Sequence, residues 1–217
     1  MIRVAAFDFD GVLVDSVSLK DQALESLFLD QGPETAGRAL QSWLRHKGMF
    51  RPHRLRVICR EVWGRTPEEG ELAALLRRFE AHAVERTIAA PWIAGARETL
   101  EGLRRRSIPR YVVSAGPQEE VETIIRRRGM AEDFTRVFGF GETTHKRDVL
   151  LDIARSEGIE PGEMLFVGDS ITDGEAARQA GTAFVGIVPS GSVNPFPGDL
   201  PIRPDLTGLL AWIDAQG

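Results

Sequence analysis

Apolar positions along the chain follow two periods. Short unbroken runs, RVAAF (3–7), RYVVS (110–114), MLFVG (164–168) and AFVGIV (183–188), are rich in β-formers and mostly end in small or polar residues, which predicts buried strands. Between the later runs the spacing becomes helical. QEEVETIIRRRG (118–129) places Val121, Ile124 and Ile125 on one face. KRDVLLDIARSEG (146–158) does the same with Val149, Leu150, Ile153 and Ala154, and each segment closes on a glycine, a common helix stop. Strands alternating with helices predict an α/β fold, a Rossmann-like parallel sheet covered by helices.

Residues 16–92 break the alternation. No strand pattern occurs there, and SLKDQALESLFLDQG, RLRVICREVWG and PEEGELAALLRRFEAHAVERT are all helical, the last opening on Pro67 and acidic residues. The expected organisation is therefore a core built from residues 1–15 and 93–217, with an all-helical insertion over 16–92 between the first and second strands. APWIAG (90–95) is its exit.

Composition narrows the function classes. In 217 residues, 27 basic and 32 acidic side chains leave a net charge of −5, so the basic excess typical of a nucleic-acid partner is missing. The triplets Arg104–Arg106 and Arg126–Arg128 read as solvated helix ends. The single cysteine, Cys59, forms no intrachain disulfide and reads as a small core residue. Acidic residues interrupt the first apolar run by position 8, unlike a signal peptide, and no stretch approaches the roughly 18 apolar residues of a membrane span. The expectation is a cytoplasmic protein without a membrane partner. Oligomeric state is left open.

The chemistry concentrates at strand ends, where an open α/β sheet binds its ligands. Asp8 and Asp10 follow the first strand, Ser114 ends the second, and Asp169 and Asp173 follow MLFVG. Neither acidic stretch fits a calcium loop. DFDGV puts Val12 at the fifth position, and DSITDG puts Ile171 and Ala180 at the third and twelfth. Helix capping alone leaves the joint presence of Asp10, Asp169 and Asp173 unexplained. Clustered carboxylates repel and are costly to bury without a cation, and a hard divalent ion removes that cost. Lys146 sits just before a helix, where its charge reaches both a carboxylate and a phosphate. Ser114 offers a hydroxyl, and Gly11 and Gly116 allow backbone N–H groups to approach an anion.

Taken in order, DFDGVLVDS (8–16), Ser114 in VVSAG, Lys146 in THKRD and GDSITD (168–173) resemble the motifs of the haloacid dehalogenase superfamily, in its phosphoglycolate phosphatase and β-phosphoglucomutase-like subgroup with a helical cap. The resemblance spans essentially the whole chain. It implies a Mg²⁺-dependent phosphatase acting on a small phosphorylated metabolite, of phosphoglycolate or sugar-phosphate type. Asp8 is then the nucleophile, and Asp10 is the acid that serves the leaving oxygen and the base that activates water. Ser114, Ala115, Gly116 and Lys146 hold the phosphoryl oxygens. Mg²⁺ is held by the Asp8 carboxylate, the Asp10 main-chain carbonyl and Asp169, with Asp173 in support. The family's dehalogenases lack an acid at the place of Asp10, which favours phosphate esters.

The resemblance extends to the insertion, which family members use as a cap over the active site. KGMFR (47–51) resembles the substrate-reading loop of the β-phosphoglucomutases, which implies that Arg51 grips a second anionic group of the substrate; a solvated arginine ahead of Pro52 is the alternative. Lys20 stands where those mutases carry a histidine, and Gly168 where they carry a glutamate. Lys20 is a candidate substrate contact, with a solvated helix lysine as its alternative. Both departures favour a phosphatase over the runner-up, a sugar phosphomutase. A non-catalytic binding protein on this fold is expected to lose Asp8 or Asp10, and both are present. His46, His53, His82 and His145 lack metal-ligand spacing and carry no assigned role.

Overall fold

Residues Val4–Phe7 form strand β1, and all four are buried. The computed structural model describes residues 1–141, 144–198 and 200–216. Among these, β1 lies in a sheet with β2 (Arg110–Pro117), β3 (Arg136–Phe140), β4 (Met164–Gly168), β5 (Ala183–Ile187) and β6 (Ile202–Arg203). The order is β3-β2-β1-β4-β5-β6 and every pairing is parallel. The chain steps outward from β1 to β3, then returns to the other side of β1 to lay down β4. That reversal opens a crevice at the carboxyl ends of β1 and β4, where ligands of such sheets bind.

Side chains alternate between the two faces with the two-residue period of a strand. Ala5 and Phe7 of β1 and Leu165 and Val167 of β4 join one apolar cluster, with residues of α5 (Ala96–Arg105), α6 (Gln118–Arg127) and α9 (Leu209–Asp214). Val4, Ala6, Met164 and Phe166 join the other, with residues of α7 (Lys146–Glu157) and α8 (Ile171–Ala180). This is the Rossmann-like sheet expected from the sequence. Two strands were not legible in it. In β3, Arg136 and Gly139 interrupt the apolar run and burial is partial, and β6 is a two-residue edge strand.

Between β1 and β2 the chain forms α1 (Val17–Phe28), α2 (Pro33–Arg45), α3 (Arg51–Trp63) and α4 (Glu69–Ala89). They enclose a third cluster drawn wholly from residues 23–83, in which Leu24, Leu27, Phe28, Leu55, Ile58 and Phe79 are fully covered. Each such side chain contributes about 1.5–3 kcal/mol by leaving water. Cys59 lies in this cluster, and burial pushes its thiol pKa up to about 12, so it is an inert packing residue. The sequence left α2 unassigned. It also started α4 at Pro67, whereas the helix begins at Glu69, with Glu68 and Glu71 forming its capping box.

The two crossings into and out of these helices run side by side. Val14 pairs antiparallel with Trp92, the Asp15 N–H donates to Pro91 O (2.9 Å) and the Ile93 N–H to Leu13 O (3.0 Å). Arg128 corrects the solvated reading of its triplet. Its Nη1 donates to the carbonyls of Thr87 (2.9 Å), Ile88 (2.7 Å) and Ala90 (2.8 Å), satisfying the orphan acceptors at the end of α4.

Candidate active site

Asp8 leaves β1 directly into the crevice. Its Oδ1 accepts from the Phe9 N–H at 2.7 Å, and its Oδ2 lies 2.9 Å from Lys146 Nζ. Lys146 opens α7 and is buried, and its ammonium also donates to Asp173 Oδ1 at 2.5 Å. One cation thus links the ends of β1 and β4. Asp173, fully buried in the first turn of α8, takes the Ser170 N–H (3.0 Å), the Asp169 N–H (3.2 Å) and Ser170 Oγ–H (2.5 Å) on its other oxygen. Both of its oxygens are engaged, so its side chain shapes the turn that carries Asp169. The close approach of the two motifs also requires the glycine of DFDG. Gly11 has φ +78°, and a Cβ there would stand 2.6 Å from Asp169 Oδ2.

Asp10 faces elsewhere. Ser16 Oγ donates to its Oδ1 at 2.5 Å and Lys20 Nζ to its Oδ2 at 2.6 Å. Burial raises the Asp10 pKa, but Lys20 and Ser16 outweigh it and hold the carboxyl below its usual value. Lys20 is therefore no solvated helix lysine. It is a buried residue of α1 committed to Asp10.

Ser114 is buried near the end of β2. Its Oγ accepts from the Gly116 N–H at 3.1 Å, and among the described residues no acceptor takes its hydroxyl proton, which leaves it to a ligand. Asp8, Asp10, Asp169, Ser114, Ala115 and Gly116 all border one cavity. From the helical side Lys20, Trp43, Lys47, Arg51 and Arg54 border the same space. Of the residues singled out from sequence, Lys146 and Asp173 lie behind its wall, beneath Asp8.

Three ion pairs tie the helices to this edge of the sheet. Besides Lys20–Asp10, Lys47 Nζ donates to Asp169 Oδ2 at 2.6 Å, and Arg51 makes a two-pronged contact with Glu120 of α6, Nη1–Oε2 at 2.5 Å and Nη2–Oε1 at 2.7 Å. Gly48 (φ +82°) permits the loop's approach, since a Cβ there would overlap Thr172 Oγ1 at 1.9 Å. Lys47, Glu120 and Ser16 were given no role from sequence. Lys47 sits in the quoted KGMFR and Glu120 in the acidic first turn of α6, but neither position carries a signal naming its partner. Arg51, expected to meet substrate, has its charge already matched by Glu120. Both side chains are about one-twentieth exposed. Arg51→Ala is therefore expected to destabilise the protein by up to about 3–5 kcal/mol, the cost of a buried charge left alone. Opening of the helical layer, which rehydrates Glu120, sets the ceiling. Urea unfolding measures it. Adding Glu120→Gln should restore part of the loss, and an Arg51→Ala curve equal to that of the parent would mean the pair is not buried.

Asp8, Asp169 and Asp173 bring carboxylate oxygens within 4.8 Å of one another. Burial, then the charges of Asp173 and Asp169, raise the Asp8 pKa to about 7 although Lys146 pulls it down. Burial and Asp173 likewise raise that of Asp169 against the pull of Lys47. The lysines thus leave negative charge unbalanced at a set of hard oxygen donors. That is the environment a divalent cation such as Mg²⁺ fits, with Asp8 and Asp169 the carboxylates whose oxygens are least engaged.

The family model for haloacid dehalogenase-like hydrolases matches residues 2–181. A phosphoglycolate phosphatase of Escherichia coli O157:H7 is 31% identical, over 86% of this chain and 81% of that one. Among solved structures, a predicted phosphoglycolate phosphatase from Haemophilus somnus superposes with a TM-score of 0.76 at 22% identity, over 97% of both chains. CbbY from Rhodobacter sphaeroides, in complex with phosphate, gives 0.77 at 18% identity, over 99% of this chain and 100% of its own. With its motifs gathered at one sheet edge and the family model covering most of its length, the chain belongs to the haloacid dehalogenase-like hydrolases.

Proposed function

We propose that the chain is a Mg²⁺-dependent phosphatase that hydrolyses a small phosphate monoester through an aspartyl-phosphate on Asp8. The observation that carries this reading is the bridge from Lys146 to Asp8 and Asp173, set beside Asp169 and Ser114 at the carboxyl edge of the sheet. The phosphoglycolate phosphatases among its relatives support the substrate class.

The chemistry falls to residues of this chain. The Asp8 carboxylate attacks phosphorus, the bond from phosphorus to the leaving alcohol oxygen breaks, and Asp10 gives that oxygen its proton. Water then attacks the phosphoryl group, Asp10 takes the proton, the bond to Asp8 breaks and inorganic phosphate leaves. Ser114 donates to a phosphoryl oxygen with its unclaimed hydroxyl proton, and Lys146 balances charge beside Asp8. Asp8, Asp169 and the Asp10 main-chain carbonyl would hold Mg²⁺, with Asp173 in support; when bound, the ion supplies positive charge to the phosphoryl oxygens. Helices α1–α4, over residues 16–92, act as a cap that excludes water, with Lys20 bringing a cap charge to Asp10. The lone, buried Cys59 fits the cytoplasmic location expected from sequence.

The test is a screen of phosphorylated metabolites for phosphate release with and without Mg²⁺. Phosphoglycolate and sugar monophosphates should be turned over, activity should vanish with a chelator, and Ca²⁺ should inhibit because it accepts looser coordination than Mg²⁺. Full turnover in the presence of chelator, or an isomerised phosphate with no release, would count against the reading.

A further inference from the structure

Four cationic side chains border the cavity above Asp8, and all come from the helical layer: Lys20, Lys47, Arg51 and Arg54. Three are matched by carboxylates, Asp10, Asp169 and Glu120. Arg54 is not. Among the described residues it forms no ion pair, though it is only 7% exposed. Its guanidinium lies 3.3 Å from the centroid of the Trp43 ring, and Nε (3.0 Å) and Nη2 donate to the Trp43 carbonyl. The nearby acid, Asp21, is engaged by Trp43 Nε1 at 2.8 Å. The surroundings therefore hold the guanidinium by stacking and by a neutral acceptor. Burial and the charge of Arg51 push its pKa down to about 9 against the pull of Asp21, which is what a cation short of counter-charge experiences. Buried charges are normally paired, and an orphan at the rim of a binding cavity is a candidate site for an anionic ligand.

We propose that Arg54, and not Arg51, binds the second anionic group on the substrate's leaving alcohol, which makes Arg54 the residue that selects the phosphoglycolate type among the substrates proposed above. This rests on the phosphatase reading above and assigns its selectivity. The geometry suits a carboxylate. Trp43 fixes one edge and one face of the guanidinium, and Arg54 borders the cavity that Asp8 and Ser114 also line. A planar guanidinium matches a carboxylate in a way an ammonium does not. The charge of each of the other three cations is already matched by a carboxylate.

The experiment compares 2-phosphoglycolate, its carboxyl methyl ester and p-nitrophenyl phosphate in the parent enzyme, Arg54→Gln and Arg54→Lys, with Mg²⁺ present. The parent should prefer phosphoglycolate over the uncharged ester by tenfold or more. Arg54→Gln should lose about 10- to 150-fold in kcat/KM on phosphoglycolate, the worth of a charge-assisted hydrogen bond. The ester and p-nitrophenyl phosphate should change by less than about threefold, since they present no second anion. Arg54→Lys should recover part of the loss on phosphoglycolate alone. Equal losses on all three substrates, or none, would overturn the assignment. Should Arg54→Gln not fold, the parent's preference for the acid over its ester still decides: equal rates refute a second anion site. Phosphate release from p-nitrophenyl phosphate alone would leave the phosphatase reading standing and sink this one. No release from any of the three would sink both.

Discussion

Asp8→Asn is expected to abolish turnover and to leave no phosphorylated protein after acid quench with labelled substrate. The substitution is nearly isosteric, so the helical layer and the sheet should stay assembled, but the amide lacks the negative charge with which Asp8 is proposed to attack phosphorus. Loss of a covalent nucleophile costs on the order of 10³-fold or more in kcat. The surroundings add a second penalty. One Asp8 oxygen faces the Phe9 N–H and the other lies 2.9 Å from the Lys146 ammonium. Whichever way the amide turns, its NH₂ meets a donor. The fold should not suffer much, because the raised pKa of Asp8 marks its charge as unfavourably placed in the folded state without a metal. Thermal unfolding of the metal-free variant should therefore fall close to the parent. Activity within tenfold of the parent on the same substrate would mean that another residue attacks phosphorus.

The sheet was legible because its inner strands are covered on both faces, and such strands announce themselves as continuous apolar runs. β1, β2, β4 and β5 were found for that reason. β3, with Arg136 at its start and Gly139 inside it, lacks the run, and β6 is too short to have one. The motif residues were legible because sequence places each at a strand end, so the fold that brings the strands together also brings the carboxylates together. Pairing was not legible. Lys47 meets Asp169 across 122 residues and Arg51 meets Glu120 across 69, and no local period encodes such contacts. KGMFR thus implied that Arg51 grips a second anionic group of the substrate. The structure gives that arginine a carboxylate partner and leaves Arg54, one helical turn further on, without a carboxylate among the described residues. A lysine at position 20 reads as surface from its residue type, yet it is buried against Asp10 because α1 lays its first turn over the end of β1.

Asp10→Asn should divide the reaction in two. Ester substrates whose leaving alcohol needs a proton should lose roughly 10²–10⁴-fold, the usual worth of a positioned acid or base. With p-nitrophenyl phosphate, whose leaving group departs unaided, phosphoryl transfer to Asp8 should survive while hydrolysis of the aspartyl-phosphate slows by a similar factor. The variant should then release a burst of nitrophenol equal to the enzyme concentration and hold labelled phosphate on the protein. The contacts of Asp10 explain why the second step should suffer visibly. Lys20 and Ser16 both donate to its carboxylate and hold its pKa below the usual value, which favours the ionised form that the proposed second step needs to take a proton from water. Asparagine keeps one oxygen for Ser16 but presents an amide or a weak acceptor to Lys20, and it cannot take a proton. Rapid-quench measurement of phosphoenzyme against time separates the cases. A burst followed by slow turnover supports one residue serving both steps. Fast dephosphorylation after a failed first transfer would make Asp10 the acid alone and require a different group to activate water. Loss of the burst with p-nitrophenyl phosphate would instead mean that Asp10, through its pairing with Lys20, is needed to hold the cap over Asp8 before any bond changes.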